Sequence, residues 1–151
     1  MNRSSTMVAL SGALLLCTIA LTYSRPVVAK DPSIDQLVWQ RRLLIVFANP
    51  HDVSSLDKQR AIATQACKDF AERDLDLIQV VGNDVTGTSD SADALRQRFN
   101  VSAGTFRALL IGKDGGVKID SRQPVTQAQL VSTIDAMPMR RQETNGSNEK
   151  Q

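Results

Sequence analysis

The stretch that most constrains this chain is six residues long. Leu43 to Ala48, LLIVFA, is an unbroken apolar run rich in branched and aromatic side chains, and Asn49-Pro50 ends it. A run of that length and composition reads as a strand buried on both faces, at the centre of a sheet. A polar turn follows, and then a helical pattern begins. In an α/β fold, ligands and reactive groups gather where the chain leaves the carboxyl end of a central strand. Any active site is therefore expected at Pro50 to Asp57.

The rest of the chain can be laid out around that strand. Lys30 to Gln40 is a polar lead-in in which Ile34, Leu37 and Val38 suit a short helical turn, with Trp39 packing nearby. Asp52 to Ser55 offers helix caps. Leu56, Ala63, Cys67 and Phe70 then recur at helical spacing, and Glu72-Arg73-Asp74 closes that helix. Leu75 to Val81 is a second strand, and residues 82–90 are a turn-rich loop. Ser89 or Asp90 is expected to cap a short helix with Leu95 and Phe99 on its apolar face. Phe106 to Ile111 is a third strand. Lys113-Asp114-Gly115-Gly116 is a hairpin turn, because Asp-Gly and Gly-Gly supply positive φ, and Val117 to Asp120 returns as an edge strand.

The last helix has the clearest start. Thr126 and Gln129 form a capping box, with Val125 and Leu130 at the staple positions. Leu130, Ile134 and Met137 supply its buried stripe, and Pro138 ends it. Residues 139–151 carry no apolar period and are expected to be a mobile tail. The order β-α-β then α-β-β-α predicts a thioredoxin-like three-layer α/β fold over residues 41–138. Its central sheet is mixed, with the first two strands parallel by the right-handed crossover rule.

The first 29 residues have a different character. Met1 to Met7 is polar and carries Arg3, Val8 to Leu21 has no charge, and Thr22 to Ala29 ends in Val-Val-Ala. That is the order of a secretory signal peptide, expected to be cut after Ala29. The apolar run is short for a bilayer span, and a retained membrane anchor is the alternative. Cys17 follows Leu14-Leu15-Leu16 rather than a small residue, so lipidation is not expected. Cleavage would leave 122 residues, enough for one domain with one core. Arg3 and Arg25 would go with the leader, leaving sixteen basic and sixteen acidic residues. A neutral domain has no electrostatic footprint for nucleic acid. One cysteine, Cys67, would remain, so no internal disulfide is expected in the mature domain.

The layout resembles that of a known family. Peroxiredoxins, a branch of the thioredoxin-like superfamily, carry Pro, then Thr four residues on, then the peroxidatic Cys three further, after the first core strand. Here Pro50 matches the Pro, Ser54 stands at the Thr position and Asp57 stands where the cysteine would be. Arg107, in RALLIGKDGG, is similar to the peroxiredoxin Arg that opens a later strand. RLLIVFA, ERDL, FRALLIGKDGGVK and IDAMPMRR further resemble the P-DUDES domains. These are exported bacterial proteins of unknown function whose relatives recur in animal extracellular matrix proteins. The resemblance implies a peroxiredoxin-like fold, often without the catalytic cysteine, and no established reaction.

Peroxide reduction needs a thiolate of lowered pKa, and a carboxylate cannot form a sulfenate. The sequence is thus read as a non-catalytic binding or accessory module of the cell envelope, with no catalytic residue. Its partner is expected to be an envelope protein or a small anionic ligand, facing Pro50, His51, Ser54, Asp57 and Arg107. Arg107 would supply charge and pair with Asp57, and Ser54 would supply a hydroxyl. Asp57 has a blander reading, a carboxylate favouring a helix N-terminus. Cys67 is read as a small buried hydrophobe on the core face. The alternative is a thiol-dependent redox protein using Cys67, and a second alternative is a structural envelope protein without ligand. His51, the one histidine, cannot build a zinc site alone. No CxxC, phosphate-binding Gly loop or Ser-His-Asp arrangement is present, so no cofactor or metal is expected.

Overall fold

The apolar run is the centre of the molecule. β1 spans Arg42–Ala48 and all seven of its residues are buried. The computed structural model describes residues 30–51 and 53–148. The expected leader, Asp52 and residues 149–151 lie outside the described residues. β2 (Leu75–Val81) pairs parallel with β1, and β4 (Arg107–Ile111) pairs antiparallel on its other side. β3 (Asp84–Thr86) and β5 (Val117–Ser121) are the edges, giving the order β3-β2-β1-β4-β5.

Alternation along the strands sorts side chains into two cores, as a pleated strand must. Leu44, Val46, Ala108 and Leu110 pack under α2 (Ser54–Gln65), α3 (Cys67–Glu72) and α5 (Gln127–Asp135) through Leu56, Ala66, Phe70, Leu130 and Ile134. Leu43, Ile45, Phe47, Leu109 and Ile111 face α1 (Ile34–Leu37) and α4 (Ala92–Phe99) through Ile34, Ala92 and Leu95. These are the three layers of the expected thioredoxin-like α/β arrangement. Among the described residues no helix is long and apolar enough to cross a membrane.

The α5 cap is built as the sequence predicts. Gln129 N–H donates to Thr126 Oγ1 at 3.2 Å and Thr126 N–H donates to Gln129 Oε1 at 3.0 Å. Val125 and Leu130 are both buried. Gln59 of α2 adds a bond unforeseen from the sequence. Its buried amide donates to Val125 O at 3.1 Å and accepts from Val125 N–H at 2.7 Å, tying α2 to the start of α5.

Several expectations are corrected. Ser91, not Ser89 or Asp90, caps α4, accepting from Ala94 N–H at 3.2 Å. Asp90 instead accepts from Ile34 N–H at 2.7 Å and so caps α1. Part of the 82–90 loop is β3, too short to show a period. Trp39 does not pack on the fold but is 66% exposed. Its φ of 69° is left-handed, and its N–H donates to Lys113 O at 2.6 Å.

The largest correction is the tail. Pro138–Asn148 form a helix, α6, where residues 139–151 were expected to be mobile. Proline suits the first position of a helix, where its missing N–H costs nothing. What holds α6 is charge rather than apolar surface. Glu143 accepts from Arg42 at 3.2 Å and from Lys113 at 2.7 Å. The Arg42 side chain is wholly buried and also donates to Arg73 O at 2.8 Å. Lys113 reaches Asp74 as well, at 2.8 Å. Burial pushes the Glu143 carboxyl up, but the bonds from Lys113 and Arg42 outweigh it and hold it below its usual range.

Candidate functional site

At the carboxyl end of β1 the chain turns on Asn49, whose side-chain oxygen accepts from His51 N–H at 2.9 Å. The Pro50 ring lies against Gly82 at the end of β2; a Cβ there would come within 3.3 Å of Pro50 Cγ. Gly82 has a φ of +58°, its N–H donates to Ala48 O at 3.3 Å, and its carbonyl takes the Arg96 guanidinium. A side chain at Gly82 would therefore meet both a strained backbone and the proline ring. The turn is pinned to the sheet, and His51 is exposed.

Four of the five predicted residues cluster at this turn and in the first turn of α2; the fifth is elsewhere. Asp57 is 61% exposed and pairs with Arg60 one turn along, at 3.3 Å. Arg60 in turn donates to Gln79 Oε1 on β2 at 2.5 Å. Arg107, the first residue of β4, stands opposite Phe47 and two before Leu109, so it shares their α1/α4 face. Leu56 places α2 on the other face. The expected Asp57–Arg107 pair is therefore replaced. Arg107 grips Asp120 of β5 with Nε and Nη2, and its hydrogen bond holds the Asp120 carboxyl below its usual range.

Arg107 has other company on its own side. With Arg122, Asn100, Ser102 and Thr105 it lines a polar cavity of about 500 Å³. None of these companions was foreseen. Asn100 ends α4 with φ 50° and ψ 51°, a left-handed C-cap that Asn tolerates. That turn carries Ser102 and Thr105 round toward β4, and Thr105 Oγ1 donates to Ser102 O at 2.8 Å. Arg122 follows β5 by one residue. The residues come together only once β4 and β5 pair, so no local spacing announces them.

Cys67 is also corrected: it is exposed, not core. The buried stripe runs through Leu56, Gln59 and Ala63, one residue off the expected one beyond them. At Ala66, φ is −92° and ψ is 17°, which separates α2 from α3. Ala66 and Phe70 take the buried positions. Cys67 turns outward, into a groove of about 550 Å³ shared with Arg41, Arg60, Phe70, Leu75 and Gln79.

A five-stranded mixed sheet flanked by helices, opened by a β-α-β unit, defines the class: an α/β protein of thioredoxin-like layout. Within it, the chain belongs to the family described as Domain of unknown function (DUF4174), whose model matches residues 33–143. It is also similar to Coiled-coil domain-containing protein 80 of Danio rerio, at 30% identity over 129 residues. That match covers 70% of this chain and 15% of the fish protein, so the chain spans a small fraction of this relative's length.

Proposed function

We propose that the domain is a non-catalytic binding module of an exported protein, a peroxiredoxin-like domain of P-DUDES type that takes a small anion. The observation that carries this reading is the pairing of two guanidiniums, Arg107 and Arg122, with Asn100, Ser102 and Thr105 around one polar cavity. One carboxylate, Asp120, is bound to Arg107 and lies within the field of Arg122. Planar guanidiniums suit carboxylate and phosphate oxygens, which can be held by two parallel bonds. Asp57 at the nucleophile position supports a role in binding rather than peroxide chemistry.

Calorimetric titration of the purified protein with phosphate and citrate tests this. Saturable binding is expected, falling about tenfold in Arg122→Ala, the scale of one charge-assisted contact. Equal affinity in Arg107→Ala, Arg122→Ala and the unaltered protein would refute it and favour a structural protein without ligand.

The exposure of Cys67 favours a second reading, thiol-dependent redox chemistry with an external partner thiol. Native Cys67 is expected to alkylate as readily as an unfolded cysteine. The redox reading additionally requires peroxide or disulfide turnover that Cys67→Ser abolishes.

A further inference from the structure

At the opposite end of the sheet, the β4–β5 hairpin and the α5–α6 corner enclose a cavity of about 380 Å³. That is within the range of about 300–1,000 Å³ that small-molecule sites occupy. Its walls are apolar, from Val117, Ala136, Met137 and Met139. Methionine is unbranched and polarisable, so such walls adapt to an apolar guest. The cations on the cavity are Arg42, Lys113 and Lys118, against one carboxylate, Asp114.

Three features point to a built site. The first is a β-bulge. Leu110 pairs with Ile119 but its neighbour Ile111 pairs with Val117, so Lys118 is an extra residue in β5. Consecutive residues of a regular strand face opposite ways; the bulge lets Val117 and Lys118 both line the cavity. The second is Gly112. A Cβ there would fall 2.6 Å from Lys118 Cε and 2.6 Å from Asp114 Oδ1, so glycine makes the room in which the lysine lies. The third is Arg42 on the inner wall. Its side chain is wholly buried and its Nε has no acceptor among the described residues. An N–H buried without a partner is costly, and an acceptor near it is favoured.

We propose that this cavity binds an amphiphilic anion, a medium-chain carboxylate. Its apolar chain lies against Val117, Met137 and Met139, and its head group meets Lys118. The counter-charges around the cavity leave that role to Lys118. Glu143 is shared by Arg42 and Lys113, and Asp74 holds Lys113 a second time. Among the described residues Lys118 pairs with Asp114 alone, at 2.6 Å within the hairpin. That pair is 31% and 43% exposed, so exchanging Asp114 for a ligand carboxylate sacrifices little. An apolar wall with one available cation selects a chain bearing an acid over an uncharged one. This site is separate from the Arg107–Arg122 cavity and does not depend on it.

The test is titration of the purified protein with decanoate below its micellar concentration, followed by backbone amide NMR. Saturable shifts are expected on the amides of residues 112–118 and of Ala136, Met137 and Met139, unchanged by Arg107→Ala. Decanol should bind about tenfold more weakly, as should Lys118→Gln toward decanoate, each lacking one charge-assisted contact. Val117→Asp places a charge on the apolar wall at a half-exposed strand position and should abolish binding while leaving distant amides in place. Shifts centred elsewhere, decanol binding as tightly as decanoate, or full affinity in Val117→Asp would each overturn the proposal.

Discussion

The two ends of the central strand are handled by opposite means. At the carboxyl end the chain leaves β1 through a backbone-pinned turn, and the ion pairs there, Asp57–Arg60 and Arg107–Asp120, sit at the surface. At the amino end the strand begins with a charged side chain inside the fold. Arg42 is buried, and a helix from the far end of the chain supplies its counter-ion 101 residues away. Exposed pairs contribute little, because water already solvates both partners. A buried charge is a different matter, since removing its partner strands it in a medium that cannot solvate it. The end that resembles a catalytic site is therefore the electrostatically inexpensive one, and the opposite end, with its buried Arg42, holds the structure closed.

The sharpest way to break this comparison is to remove one charge from each end. Glu143→Ala should destabilise the protein by about 2–4 kcal/mol, somewhat under the usual cost of stranding a buried ion because Glu143 is itself 28% exposed. Arg42→Met, which removes the charge and keeps the bulk, should cost distinctly less. Arg107→Ala should barely move the urea midpoint. Equal losses at the two ends would show that burial of Arg42 carries no special penalty.

Acid separates the ends next. Glu143 and Asp120 both have depressed carboxyl pKa values, for which burial is opposed by cationic bonds in the first and the Arg107 bond is the main cause in the second. The unfolded state binds protons before the folded state does. The stabilisation is thus present above the ordinary carboxylate values, 4.5 for Glu and 3.8 for Asp, and is lost as pH falls through the lower folded values. Urea midpoints should be level near neutrality and fall below about pH 4.5. The fall should be shallower in Glu143→Gln than in Asp120→Asn, because Glu143 answers a buried cation. An identical acid limb in all three proteins would contradict the asymmetry.

The same contrast explains what could be read from the sequence. β1, the β-α-β opening, the 113–116 turn and the Thr126–Gln129 cap rest on local patterns, and those patterns agree with the fold. α6 was illegible because it has no apolar stripe: Glu143 holds it through long-range charge. Arg41 and Arg42 are adjacent and chemically identical, yet strand alternation sends one to Asp74 and Asp76 at the surface and buries the other. Cys67 and Ala66 are neighbours at helical spacing from Ala63 and Phe70, and only packing against the sheet decides that Ala66 is the buried one. Pro50, His51, Ser54 and Asp57 lie at the turn leaving the central strand, which a local pattern can mark. Arg107 lies apart from that turn, and Arg122 and Asn100 meet it only through strand pairing.

The smallest expected effect is the most informative about the family resemblance. On the sequence alone, slow peroxide consumption is expected of Asp57→Cys, with Ser54 and Arg107 completing the pocket. The fold argues otherwise. The peroxidatic step needs a thiolate stabilised by a nearby cation, with its peroxide held in line. Among the described residues the guanidinium paired with Asp57 is that of Arg60, and it is also bonded to Gln79. Arg107 lies on the other face of the sheet with both arms on Asp120. A thiol introduced at position 57 should therefore label readily, because the site is exposed, yet consume peroxide no faster than a free thiol. Adding Asp120→Ala should not change this, since freeing Arg107 does not bring it to the face of α2. If Asp57→Cys consumed peroxide well above a free-thiol control, and Arg107→Ala removed the gain, then the two faces communicate around the end of the sheet. The division between its ends and faces would then have to be redrawn.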